Sequence, residues 1–145
     1  MKIQHIVIAS DHAGFKLKKK IQKHFSKSIF FTDMGTTSEE SCDYPDFAHA
    51  ACVSVIRGEV KQGILICGSG NGMAMAANKH SLIRCALAWN VEIAQLARKH
   101  NDANMLSIPA RFISDEEAFS IVETFINTEF EGGRHERRVA KISEF

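Results

Sequence analysis

The chain is 145 residues long, with 45% apolar and 24% charged residues, which suits one globular domain. Its formal net charge of +1 gives no case for a nucleic-acid or membrane-surface partner, so any anion site must be local. The four cysteines show no CxxC spacing, no His pair completes a zinc pattern, and no apolar run resembles a signal peptide or membrane span. We therefore predict a cytoplasmic protein with reduced thiols and no metal.

Apolar strands alternate with amphipathic helices along the chain. Strands are predicted at residues 6–9, 29–31, 63–67, 85–89 and 104–108. Helices are predicted at residues 15–25, from about 43 to 57, at 73–78, at 91–100 and after a capping box formed by Ser114 and Glu117. Uninterrupted apolar strands separated by helices are typical of a parallel sheet covered on both faces. We predict a single-domain, doubly wound, Rossmann-like α/β fold over residues 1–145, with five parallel strands.

The last of these helices is expected to end at the pair Gly132-Gly133, after which a basic segment completes the sequence. Arg134 and Arg138 lie four residues apart, so on a helix they share one face and suit a phosphate group. A helix over residues 134–142 is too short to be stable alone. We expect this C-terminal extension, about residues 132–145, to pack on a partner subunit. The alternative is a solvated basic tail that binds nothing.

A glycine-rich turn, Gly68-Ser69-Gly70-Asn71-Gly72, follows the third predicted strand, at the sheet edge where parallel α/β proteins bind ligands. Glycines let the backbone approach a ligand, and N–H groups at the start of the next helix favour an anion. Met73 stands where a dinucleotide-binding fingerprint needs a glycine, and the lysine of a P-loop is absent. The pattern therefore indicates an anion site, the alternative being a turn that only packs strand against helix.

Cys67 ends the third predicted strand, directly before this glycine loop. A thiol at a helix N-terminus ionises more readily than a free cysteine, so Cys67 could act as a nucleophile or a general base. Buried cysteines are also often simple apolar side chains. Cys52 and Cys85, within a helix and a strand, fit that second interpretation, and the loop residue Cys42 is given no role.

Polar residues also follow the first strand and end the fourth helix. Asp11 could orient a hydroxyl or an imidazole, or could cap a helix, and His12 could hydrogen-bond a sugar oxygen. Both would lie at the same sheet edge as Cys67. His100 could act as an acid and base on a sugar ring, or could be placed there by the helix dipole. The residues by themselves leave these alternatives open.

Together, in this order and along nearly the whole chain, the segments resemble the ribose-5-phosphate isomerase B family. The matching stretches are residues 10–16, 43–46, 63–72, 76–79, 84–88, 100–104 and 131–138. The resemblance implies an aldose–ketose isomerase that interconverts ribose 5-phosphate and ribulose 5-phosphate in the pentose phosphate pathway, without a cofactor. It also implies a homodimer or a dimer of dimers, with active sites shared between chains.

The resemblance assigns a role to each site residue. Cys67 would be the base that moves a proton between C1 and C2, Ser69 would assist at the substrate hydroxyls, and His100 would open the furanose ring. Sugar, intermediate or phosphate binding is implied for Asp11, His12, Tyr44, Gly68, Gly70, Asn71, Gly72, Asn101, Arg111, Arg134 and Arg138. One branch of the family has a glutamate base after the glycine loop. Met73 stands there and cannot accept a proton, so we expect Cys67 to be the base.

Two other functions stay open at this point. The substrate could be a six-carbon sugar phosphate, such as allose or galactose 6-phosphate. Galactose-6-phosphate isomerases use two different subunits, however, whereas this chain carries Cys67, His100 and both tail arginines itself. The third possibility is a non-enzymatic nucleotide-binding module of the same fold class, which would bind a mononucleotide without turnover.

Overall fold

The computed structural model describes residues 3–144, in which five strands alternate with helices as predicted. The elements are β1 (Gln4–Ser10), α1 (Phe15–His24), β2 (Ile29–Asp33), α2 (Tyr44–Ile56), β3 (Gly63–Cys67), α3 (Asn71–Ala77), β4 (Cys85–Leu87), α4 (Val91–Asn101), β5 (Met105–Pro109), α5 (Asp115–Asn127) and α6 (Arg134–Ile142). No helix within this range is long and apolar enough to cross a membrane.

Several predicted boundaries were wrong by one or two residues, and the end of the fifth helix was wrong by more. The fourth strand ends at Leu87 rather than at residue 89, because the chain turns there to let the Asn90 side chain cap α4. The fifth helix ends at Asn127, well before the glycine pair. The next carbonyl, that of Thr128, accepts a hydrogen bond from Arg98 Nε at 3.0 Å, which draws the chain onto α4.

The five strands form one parallel sheet in the order β2-β1-β3-β5-β4. This confirms the predicted doubly wound α/β fold. The register pairs Ser10 of β1 with Ile66 of β3, and Cys67 of β3 with Pro109 of β5. The carboxyl ends of the three central strands therefore lie level, and the loops that follow them meet at one edge.

Alternate side chains of the strands enter two cores. Ile8 and Ile66 face one core with α1, α4 and α5, whereas Ala9, Leu65 and Cys67 face the other with α2 and α3. Each fully buried Ile or Leu in these cores contributes about 1.5–3 kcal/mol. The chain thus leaves β1 towards one face and β3 towards the other, which opens a crevice between their carboxyl ends.

The C-terminal helix α6 lies against α4 of its own chain. Its buried residue, His135, stacks on His100 with ring centroids 4.2 Å apart and ring planes 13° apart. The Glu131 N–H donates to the Lys99 carbonyl at 3.1 Å, which fixes the entry to the helix. One face of the helix is therefore covered within the chain. The expected packing on a partner subunit concerns the remaining face, where Arg134 and Arg138 are exposed.

Candidate functional site

Asp11 and Cys67 sit side by side in the crevice between β1 and β3. The Asp11 N–H donates to the Ile66 carbonyl at 3.2 Å, which extends the parallel ladder by one residue and brings Asp11 opposite Cys67. Both are buried. Asp11 Oδ1 accepts a hydrogen bond from the Gly14 N–H at 3.0 Å, so one carboxylate oxygen caps the turn into α1. Among residues 3–144 the other oxygen has no hydrogen-bond partner, which leaves it to bind a ligand.

Gly14 is required by this arrangement. A Cβ atom at this position would lie 2.5 Å from the Ile66 carbonyl oxygen, so a larger residue would push the turn off β3. The close approach of the two loops therefore depends on a residue without a side chain.

The glycine loop presents free backbone N–H groups at the start of α3. Gly70 has φ = +77° and is the N-cap of the helix, a conformation that favours glycine. Within the described part of the chain, the N–H groups of Ser69, Gly70 and Gly72 have no hydrogen-bond partner. The Asn71 N–H reaches only the Ser69 Oγ, at 3.3 Å. A helix start with several free donors is well suited to an anion.

Ser107, which was not predicted from the sequence, stabilises this loop from the interior of the protein. Its buried hydroxyl donates a 2.7 Å hydrogen bond to the Gly70 carbonyl, which also accepts from the Ala74 N–H at 3.2 Å. Across a trans peptide the N–H points away from the C=O. Drawing the Gly70 carbonyl into the protein therefore turns the Asn71 N–H outward, towards the crevice.

Tyr44 and Arg111 lie on either side of the glycine loop. A Cβ atom on Gly72 would fall 2.5 Å from the Tyr44 ring, so the ring rests on the bare backbone there. Arg111 donates its backbone N–H to the Gly68 carbonyl at 3.0 Å, and its guanidinium runs along Gly68. The guanidinium thus places positive charge beside the free N–H groups, an arrangement that suits an anion.

His12 has a defined hydrogen-bonding role through Cys42. The Cys42 N–H donates to His12 Nδ1 at 3.3 Å, so Nδ1 is the acceptor and the proton of the neutral ring sits on Nε2. His12 can then donate from Nε2 to an oxygen in the crevice. Cys42 has no predicted role from the sequence, because no local pattern indicates this contact.

Cys52 is buried in one core, and Cys85 is partly buried against the same core. Burial raises the pKa of Cys52 to about 12. Burial, with the neighbouring Cys52 and Cys67, also raises the pKa of Cys85. Both thiols stay protonated at neutral pH, in keeping with the interpretation of these residues as apolar side chains.

His100 and Asn101 lie at the opposite edge of the sheet from Cys67. Helix α4 begins after the carboxyl end of β4 and ends at the amino end of β5. The five residues of β5 span roughly 17 Å between that point and Pro109, the neighbour of Cys67. His100 therefore cannot reach Cys67 of its own chain.

Arg134 and Arg138 belong to the same edge as His100, because α6 stacks His135 on it. Burial, followed by the charges of His100 and Arg134, lowers the pKa of His135, so that ring is neutral at physiological pH. The predicted residues thus fall into two groups. We call Asp11, His12, Tyr44, residues 67–72 and Arg111 the carboxyl-edge half-site, and His100, Asn101, Arg134 and Arg138 the amino-edge half-site.

One group of side chains within residues 3–144 has the composition of a metal site. Ligand atoms of His100, Glu131 and His135 lie within 4.8 Å of one another. The two imidazole rings are stacked nearly parallel, however, so their nitrogen lone pairs do not converge on one point. We assign no metal to this group.

Known proteins resemble this chain over nearly its whole length. A family model described as Ribose/Galactose Isomerase matches residues 6–142. The ribose-5-phosphate isomerase B of Escherichia coli is 41% identical over 142 residues, which cover 97% of this chain and 95% of that protein.

Two solved structures show the same similarity in three dimensions. The crystal structure of a ribose 5-phosphate isomerase from Thermotoga maritima has a TM-score of 0.96 at 51% identity, covering 98% of this chain and 99% of the other. A ribose-5-phosphate isomerase B from Mycoplasma genitalium, solved with bound ribulose-5-phosphate, has a TM-score of 0.91 at 42% identity, covering 99% and 96%. The similarity therefore extends over both half-sites and every helix and strand.

Proposed function

The chain belongs to the ribose/galactose isomerase family, and we propose that it interconverts ribose 5-phosphate and ribulose 5-phosphate. The observation that carries this proposal is the position of Cys67, which lies beside Asp11 and directly precedes a loop with free N–H groups. The Escherichia coli relative bears the name of this enzyme, and the Mycoplasma genitalium structure holds the ketose product.

The proposed reaction passes through an open-chain sugar and a cis-enediolate. His100 opens the furanose ring by moving a proton between the anomeric hydroxyl and the ring oxygen. The Cys67 thiolate then removes the C2 proton of the aldose and returns it to C1. Meanwhile O2 loses its proton and becomes the carbonyl oxygen, O1 gains one, and Ser69 assists at these hydroxyls. The N–H groups of the glycine loop stabilise the negative charge that develops on the enediolate.

The other residues of the carboxyl-edge half-site hold the sugar. Asp11 offers its free carboxylate oxygen to a hydroxyl, His12 donates from Nε2, and Tyr44 lines the wall over Gly72. Binding that fixes the carbon chain in this way brings C1 and C2 to the thiolate, which supplies much of the rate enhancement. The chemistry needs no cofactor.

We propose further that two copies of the chain share each active site. The two half-sites lie at opposite edges of one sheet, so a complete set of groups forms only when the amino-edge half-site of a second copy meets Cys67. Arg111 from one chain and Arg134 with Arg138 from the other would then surround the phosphate. A homodimer, or a dimer of dimers, satisfies this geometry.

Exposed apolar side chains support such an assembly. Met75, Trp89 and Phe112 are 69%, 51% and 75% exposed, although all three are large and apolar. All three follow the carboxyl ends of strands, and we propose that they belong to one apolar surface that the partner covers. The four cysteines are all free thiols, which supports a cytoplasmic location for the enzyme.

One assay tests the proposed function. Purified protein is incubated separately with ribose 5-phosphate and allose 6-phosphate, and formation of the ketose is followed. We expect efficient turnover of ribose 5-phosphate. Turnover of allose 6-phosphate alone would identify a six-carbon substrate. Tight binding of a mononucleotide with no isomerisation of either sugar would overturn the enzymatic assignment.

A further inference from the structure

An arginine that precedes β4 binds the turn that carries His100 and Asn101. Arg84, the residue before β4, donates from Nε to the Asn101 carbonyl at 3.2 Å and to the Asp102 carbonyl at 3.0 Å. Its Nη2 also lies 3.5 Å from Asp102 Oδ2. One guanidinium therefore binds two successive carbonyls of the turn and the carboxylate between them.

Asp102 has an unusual backbone conformation that this clamp supports. Its φ of 45° and ψ of 45° are left-handed, and it is the one non-glycine residue with positive φ in the described range 3–144. Such a conformation persists only where surrounding contacts hold it. It ends α4 and sends the chain into β5, so it also sets the direction in which His100 and Asn101 are presented.

A second arginine completes the clamp. Arg98 Nη1 donates to Asp102 Oδ1 at 2.9 Å and to the Ala103 carbonyl at 2.6 Å. The Asp102 carboxylate thus binds one arginine with each oxygen. The side chains of Arg84 and Arg98 are only 22% and 12% exposed, so these ion pairs are screened less than pairs on an open surface.

Arg84 is itself rigidly placed. Its N–H donates to Asn104 Oδ1 at 2.8 Å, and Asn104 Nδ2 donates to the Leu82 carbonyl at 2.9 Å. A guanidinium fork on such a fixed base can define the orientation of the turn, because its planar donors allow few alternative arrangements.

We propose that Arg84 is a positioning residue of the isomerase, which acts through the turn at Asp102 to aim His100 and Asn101 at the active site of a partner chain. This inference rests on the proposed function. A group displaced by about 1 Å can cost about 100-fold in rate. The turn is remote from Cys67 of its own chain, so this loss would arise only in the steps that His100 and Asn101 serve.

A double-mutant cycle with ribose 5-phosphate tests the proposal. Arg84→Met keeps an unbranched apolar stem and removes the guanidinium. We expect it to lower kcat/KM about 100-fold in the native background. In a His100→Asn background the same change should cost at least about ten times less, because the main group to be positioned is already gone. If the losses in the two backgrounds differ by less than this factor, the proposal is overturned.

A further variant separates positioning from charge and from stability. Arg84→Lys keeps the positive charge but has a carbon atom where Nε donates to both carbonyls, and it lacks the planar fork, so we expect nearly the loss seen with Arg84→Met. Full activity of Arg84→Lys would contradict the clamp. If Arg84→Met does not fold, Arg84→Lys enters the same cycle in its place. It must show the same coupling to His100→Asn, or the proposal fails.

The matched control is Asp33→Asn, which removes the carboxylate from a buried ion pair outside the turn at Asp102, that of Asp33 with Lys18. Its loss of activity, per folded molecule, should be the same in the native and His100→Asn backgrounds. The wild-type assay separates the two hypotheses: absence of any turnover of ribose 5-phosphate refutes the proposed function, whereas turnover without coupling refutes only the role of Arg84.

Discussion

Asp11 lies directly opposite Cys67, one residue beyond the last paired positions of β1 and β3. This neighbourhood follows from a parallel register in which both strands end at the same level. Within residues 3–144, a carboxylate with one oxygen free of hydrogen bonds therefore lies beside a buried thiol, and a loop with free N–H groups follows that thiol directly. In the proposed reaction this pair combines a group that orients a hydroxyl, Asp11, with a group that moves a proton, Cys67.

Cys67→Ser should abolish isomerisation of ribose 5-phosphate, with a loss of at least about 100-fold in kcat. Serine fills nearly the same space, but its hydroxyl does not supply an anionic base at neutral pH. Steady-state rates of ketose formation measure the effect, and circular dichroism verifies the fold. Cys52→Ser and Cys85→Ser are the controls, and they should at most destabilise the protein. Near-normal turnover by Cys67→Ser would exclude this residue as the base.

His100→Asn should impair ring-closed substrates much more than open-chain ones, because its proposed task is ring opening. Erythrose 4-phosphate is a suitable probe, since its O4 carries the phosphate and cannot close a five-membered ring. The measurement compares kcat/KM for this substrate and for ribose 5-phosphate, in the wild type and in the variant. Equal losses on the two substrates would remove the ring-opening role from His100.

The terminal arginines should act on the partner's active site, because the amino-edge half-site faces away from Cys67 of its own chain. Two inactive variants, Cys67→Ser and Arg134→Ala/Arg138→Ala, are mixed under conditions that allow subunit exchange. A mixed dimer then has one intact site of two, so activity should return towards half per mixed dimer. If native mass spectrometry shows exchange and activity does not return, the arginines serve their own chain.

The buried pair formed by Lys18 and Asp33 should matter for stability more than for chemistry. Lys18 Nζ is fully buried and donates to Asp33 Oδ1 at 2.7 Å and to the Thr36 carbonyl at 2.5 Å. Asp33→Asn leaves the lysine without its counter-ion and should cost about 3–5 kcal/mol of unfolding free energy. Lys18→Met, which removes the buried charge as well, should cost less. Urea denaturation measures both, and a larger loss with Lys18→Met would contradict this explanation.

The same pair predicts how stability depends on pH. Burial by itself would raise the pKa of Asp33, but the hydrogen bonds from Lys18 and Gly35 outweigh it and hold that pKa below its usual value of 3.8. A carboxylate whose pKa is lower in the folded than in the unfolded state stabilises the folded protein at pH values above its pKa in the unfolded state. That stabilisation is lost as the pH falls through the pKa that the carboxylate has in the folded protein. The wild type should therefore lose stability below about pH 4 more steeply than Asp33→Asn, as measured by urea denaturation at several pH values.

The local pattern was enough to place Asp11, Cys67 and the glycine loop at one edge of the sheet, whereas Tyr44 and Arg111 were assigned only through the family resemblance. Strand ends follow from apolar runs, and in a parallel sheet the ends of central strands meet, so Asp11 and Cys67 could be placed at one edge in advance. The glycine loop was predictable for a similar reason, because alternating glycines before a helix expose backbone donors. These features depend on a few consecutive residues, and the structure leaves them where the pattern indicated.

Contacts between distant segments were decided only by the tertiary structure. Cys42 and His12 are 30 residues apart, Ser107 and Gly70 are 37 apart, and Arg84 and Asp102 are 18 apart. Each bond depends on the register of the sheet and on the path of a loop, which no periodicity encodes. The separation of His100 from Cys67 arises in the same way, because α4 carries its last turn back across the sheet to the start of β5. The sequence by itself therefore determined which candidate groups the chain carries and which of them follow the central strands. The packing of helices on the sheet determined that one chain cannot bring the two half-sites together.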